Sequence, residues 1–116
     1  MIKVPSKIYV ATQPINLRLS FDRLAGLVRE QLGGDPCGDA VFVFHNKRRT
    51  HMKLLWRSEV GYCIFYTRLD RRTFRIPLPI PEGAPCVQVT AREMRLILEG
   101  LDRALLRAAR KTARSV

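Results

Sequence analysis

Four short runs of apolar and aromatic residues between Val41 and Ile76, separated only by tight polar turns, constrain the fold most strongly. The runs are Val41–Phe44, Met52–Trp56, Tyr62–Leu69 and Thr73–Ile76; the turns are Asn46–Arg49, Ser58–Gly61 and Asp70–Arg72. β-Branched and aromatic side chains suit a pleated surface. Turns this short can join only antiparallel neighbours, because a parallel crossover needs a dozen or more residues. The middle of the chain is therefore predicted to be an antiparallel meander and not a succession of β–α–β units.

The flanks read differently. Ile8–Ala11 is a short strand candidate that ends where Pro14 blocks further pairing. Leu17, Phe21, Leu24, Val28 and Leu32 then recur at helical spacing, with Asn16 or Ser20 available as the cap, and Gly33-Gly34-Asp35-Pro36 stops the helix. Pro77, Pro79, Pro81 and Pro85 make residues 77–85 an extended crossing segment, after which Val87–Val89 can rejoin a sheet edge. Thr90 and Glu93 have capping-box spacing, and Met94, Ile97, Leu98, Leu101 and Leu105 keep a helical period behind them. The expected architecture is a single α+β domain over residues 1–116. It has an antiparallel meander of four to six strands, with an N-terminal-half helix and a C-terminal helix packed on one face. Residues 111–116 are expected to fray.

Charge is where the chain departs from an ordinary small domain. Twenty-one Lys and Arg face ten Asp and Glu, a formal net charge of +11. Self-repulsion of this size is relieved by a polyanion, of which nucleic acid is the commonest and an anionic membrane surface the rival. Most of the cations are Arg, which grips phosphate bidentately. Cys37, Cys63 and Cys86 are odd in number and widely spaced, which argues against a disulfide framework or a zinc site, and no other cofactor motif is present. Neither a signal peptide nor an apolar run long enough to span a membrane is evident, so the expected location is the reduced cytoplasm, including association with the nucleoid.

No catalytic residue can be assigned, and the expectation is a protein that is not an enzyme. Metal-dependent strand transfer needs two or three converging carboxylates, whereas the acids here are scattered and fall mostly in turns and caps. His45 and His51 flank a basic turn without a partner at motif spacing, and read as exposed turn histidines.

The basic residues fall into three groups. Lys47, Arg48, Arg49 and Lys53 lie on and beside the first hairpin turn. Arg71, Arg72 and Arg75 surround the third, and in a meander the first and third turns lie at the same end of the sheet. Arg103, Arg107, Arg110 and Arg114 form one stripe at about 100° per residue, facing away from the Ile97–Leu101–Leu105 side. Each group admits a bland reading as solvated charge and a functional one as a phosphate contact; the convergence of two basic turns favours the second. The aromatics Trp56, Tyr62, Phe65, Tyr66 and Phe74 suit core packing better than base stacking, since alternation can leave only some of them outside.

The order of these blocks resembles a known family. Ile8-Tyr-Val-Ala-Thr12, Asn16-Leu-Arg18 and Ser20-Phe-Asp22-x-Leu24 open it; Asp35-Pro36, Val41–Phe44, Asn46–Arg49 and Lys53–Trp56 follow. Gly61, Phe65-Tyr66-x-Arg68-Leu69, a basic turn with Phe74, and Leu96–Asp102 complete it. The set is similar to the accessory protein (TnpB) of the insertion-sequence sixty-six family, over roughly residues 7 to 103. Asn16-Leu17-Arg18-Leu19 stands where the family has Asp-Met-Arg-Lys, and Arg23 where it has glycine; Arg18 remains, either functional or paired with Asp22. The resemblance implies a role in DNA transposition beside a separate transposase. The expected partners are DNA, at the element ends, and that transposase. The alternative is a protein-interaction module that docks on the transposase with only incidental DNA contact.

Overall fold

The computed structural model describes residues 5–69, 76 and 79–98. Its core is a five-stranded sheet, β1 (Lys7–Ala11), β2 (Ala40–His45), β3 (His51–Arg57), β4 (Tyr62–Arg68) and β5 (Cys86–Val89), in the order β4-β3-β2-β1-β5. Helix α1 (Phe21–Leu27) continues as one π-type turn over Val28–Leu32, and α2 (Ala91–Leu98) follows β5. The α+β class and a largely antiparallel sheet are as the sequence predicts.

β2, β3 and β4 form the expected meander, with Phe42 opposite Leu55 and Leu54 opposite Phe65. β1 departs from it. It pairs parallel to β2, with Tyr9 beside Phe42, so β1–α1–β2 is a β–α–β unit that precedes the meander. The connection contains a full helix, which is the length a parallel crossover needs. β5 then pairs antiparallel on the free side of β1, with Val10 opposite Val87.

The helices also part from expectation, because they cover opposite faces of the sheet. Leu24 and Ala25 of α1 and Val28 of the π turn pack with Ala11, Phe42, Phe44 and Leu55. Met94 and Ile97 of α2 pack with Val10, Val41, Val43, Met52 and Val89. The reason lies in β2, where all six residues are buried. A strand apolar on both sides needs cover on both, and helices on one face alone would leave Val41 and Val43 in water.

Local signals place the helix ends. α1 starts late, after Ser20, whose carbonyl accepts from Leu24 N at 2.9 Å; Asn16 instead closes a turn in the preceding loop through Oδ1 and Arg18 N. Gly33 stops the π turn at φ 69°, a left-handed conformation that costs glycine little. Gly34 is needed for a different reason: a Cβ there would lie 3.0 Å from the Phe42 ring. At α2 the capping box is complete, with Glu93 N donating to Thr90 Oγ1 at 3.1 Å and Thr90 N to Glu93 Oε1 at 3.0 Å.

Candidate nucleic-acid interface

The strand directions gather particular loops at one end of the sheet. β1, β2 and β4 all point the same way, so the loop after β1, the β2–β3 turn and the exit from β4 share that end. Hydrogen bonds tie them together. Ile15 N donates to His45 O at 2.9 Å, and Leu69 N to Thr50 O at 2.8 Å. On the other flank, Thr12 N donates to Pro85 O at 3.0 Å and Thr12 Oγ1 to Ala84 O at 2.7 Å.

This end is basic. Arg18, Lys47, Arg48, Arg49 and Arg68 are all exposed on it, residues 12–20 and 46–51 contain no acid, and Glu82 lies in the loop before β5 that Thr12 bonds. The opposite end holds the loop before β2, the β3–β4 turn and the start of α2, where Asp35, Asp39, Glu59 and Glu93 stand among Lys7, Arg57 and Arg92. A surplus of exposed cations at one end of a fold steers a polyanion towards it before contact.

The β2–β3 turn is held rigidly by Asn46. Its Oδ1 accepts from Thr50 N at 2.9 Å and from His51 N at 3.0 Å, and its Nδ2 donates to Thr50 Oγ1 at 3.1 Å. Thr50 Oγ1 also lies 2.8 Å from His51 Nδ1, which ties the imidazole into the same network. Arg49 sits at φ 61° in the left-handed region, which a branched-free but bulky side chain rarely adopts. The turn therefore presents Lys47, Arg48 and Arg49 from a fixed backbone.

Lys53 belongs to the strand and not to the turn. It is half-buried on the α1 face of β3, and Nζ donates to Leu19 O at 2.9 Å, which pins the loop after β1 against the sheet. The same ammonium lies 5.1 Å from the centroid of the Tyr66 ring, and the imidazole of His51 stacks on Tyr66 at 5.8 Å. Sequence reasoning missed this group, placing His51 as a simple exposed turn residue and favouring the core for Tyr66. Strand parity was the available signal: His51, Lys53, Tyr66 and Arg68 fall on one face once the β3–β4 register pairs Lys53 with Tyr66. The remaining sheet aromatics divide: Trp56 and Tyr62 are half-buried, and Phe65 is exposed on the α2 face. Arg71, Arg72, Phe74, Arg75, Arg103, Arg107, Arg110 and Arg114 lie outside the described residues.

His45 corrects the expectation of an exposed histidine. It ends β2 at 3% exposure on the α2 face. Burial, reinforced by the nearby Arg49 cation, lowers its pKa from 6.5 to about 4, so it is neutral in the folded protein at pH 7. The unfolded chain binds a proton below its ordinary pKa that the native state refuses. Stability is therefore full above about pH 6.5 and falls as the pH drops towards 4. Between about pH 7.5 and about pH 5 the expected loss is roughly 2 kcal/mol. Urea midpoints at the two pH values measure it, and His45→Gln should flatten the difference.

The family model described as IS66 Orf2-like protein matches residues 6–108, nearly the whole chain. The chain belongs to this family. The resemblance read from the ordered sequence blocks is thus correct, and it makes the chain an accessory protein of IS66 transposition. Two relatives from Sinorhizobium fredii (strain NBRC 101917 / NGR234) are similar, both described as uncharacterized. The protein y4jC is 34% identical over 97 residues, covering 83% of this chain and 80% of its own. The protein y4hO is 30% identical over 96 residues, covering 83% and 81%. No solved structure matches the IS66 Orf2-like chain. Among the described residues, no helix is long and apolar enough to cross a membrane.

Proposed function

We propose that this IS66 accessory protein is non-catalytic and binds DNA at the element ends, helping to assemble the transposase complex on it. The observation that carries the reading is the clustering of Arg18, Lys47, Arg48, Arg49 and Arg68 at one acid-poor end of the sheet. The cations lie on loops bonded to one another, so a phosphate backbone meets them as one surface. In this reading Lys53 supports the surface by holding the loop that carries Arg18. The proposal also assigns phosphate contacts, on the sequence pattern alone, to Arg71, Arg72 and Arg75 and to Arg103, Arg107, Arg110 and Arg114.

Fluorescence anisotropy on an element-end duplex and a scrambled duplex across a salt series tests the proposal. Binding is expected to weaken by about 0.9 log units per neutralised phosphate for each decade of salt. A preference for the end sequence that survives physiological salt identifies a sequence-reading factor; equal, salt-labile binding assigns specificity to the transposase. Absence of DNA binding, with nuclease-resistant co-purification of transposase, would instead make the basic end a docking surface for an acidic protein.

A further inference from the structure

The basic end also carries an aromatic group that phosphate contacts alone do not use. Tyr66 lies on β4, the last strand of the sheet, on the α1 face. Its ring packs against the His51 imidazole, 28° from parallel, and under the Lys53 ammonium, yet remains 56% exposed. A tyrosine ring this exposed normally turns away into solvent. Here its neighbours hold it in place.

Each neighbour is itself fixed. Lys53 Nζ is tethered to Leu19 O, and His51 is braced by the Asn46–Thr50 network. Arg68, two residues along β4 on the same face, is exposed beside His51 in the register. The result is a preordered, half-exposed ring set among cations.

We infer that Tyr66, backed by His51 and Lys53, is a stacking platform for an unpaired DNA base, so that the basic end takes single-stranded or locally melted DNA in preference to closed duplex. Every base has a π-face, and an aromatic ring in a cationic groove binds such bases without reading sequence. A closed duplex offers its phosphates to Lys47, Arg48 and Arg49 but keeps its bases stacked on one another. The flanking Arg68 and Lys53 supply the positive charge that follows a single strand's backbone. The inference rests on the reading of this end as a DNA-binding surface and adds the kind of DNA it selects.

The test compares wild type, Tyr66→Ala and Tyr66→Phe on one labelled oligonucleotide, single-stranded and annealed to its complement, with 2-aminopurine at successive positions. Wild type is expected to bind the single strand more tightly and to quench 2-aminopurine. Tyr66→Ala should lose about tenfold or more on the single strand, with little change on the duplex. Tyr66→Phe, which keeps the ring and loses the hydroxyl, should retain both affinity and quenching. Thermal melts show whether Tyr66→Ala is folded, and Tyr66→Phe carries the quenching readout independently. Equal losses on both forms, or no quenching by wild type, would overturn the stacking role while leaving the phosphate surface intact. No binding of wild type to either form would overturn both readings.

Discussion

Reversing two charges on the β2–β3 turn, with Arg48→Glu and Arg49→Glu together, is expected to weaken binding to a short duplex about 100-fold at about 0.1 M salt. Each replacement removes a guanidinium that can form charge-assisted hydrogen bonds to phosphate and adds a carboxylate that repels it. Both residues are exposed, and the turn is held by Asn46 and Thr50, so the fold has little reason to change. The signature is in the salt dependence: the slope of log K against log salt should become shallower by about 1.8, for two lost phosphates.

Arg49→Gly separates charge from backbone. Arg49 occupies a left-handed conformation, which glycine adopts without a steric penalty. That variant should lose about 0.9 from the slope while keeping its thermal stability. An unchanged slope in the double variant would move the DNA contact away from this turn.

The second large effect is on stability. Phe44→Ala should cost about 3–5 kcal/mol. Phe44 is 1% exposed in the central strand β2, packed with Leu24, Ala25, Val28 and Leu55 between the sheet and α1. Native domains are stable by only about 5–15 kcal/mol, so the variant is expected to be near the edge of unfolding at 25 °C. In urea the midpoint should fall by roughly 1–5 M, given the usual slope for small proteins. Phe44→Leu fills much of the same space, and its cost should be well below that of alanine. A small effect of Phe44→Ala would mean that α1 does not seal this face.

The two effects fall on the strand and the turn of one unit. β2 is buried along its whole length, and its hydrophobic pairing sets where the turn begins. The turn then carries charge that no buried position could hold without a partner. Core and candidate site are therefore coupled through backbone geometry, although no core side chain need touch the ligand.

Several features were legible from residue order alone. Thr90 and Glu93 announced the capping box, because its two reciprocal hydrogen bonds are local and need only that spacing. Gly33 and Gly34 announced the helix stop, and the short turns announced the β2–β3–β4 meander, since chain length alone forbids other pairings. The ordered blocks from Ile8 to Asp102 were enough to name the family. Tertiary structure decided the rest. Whether β1 ran parallel to β2, and which face α2 covered, depended on the burial demands of Val41 and Val43 against those of Phe42 and Phe44, a comparison no local pattern contains. The same packing buried His45 and brought His51, Lys53 and Tyr66 together from two strands. Short-range hydrogen bonding and chain stiffness act between near neighbours and can be read from sequence. Burial is shared among residues far apart in the chain, and only the assembled sheet apportions it.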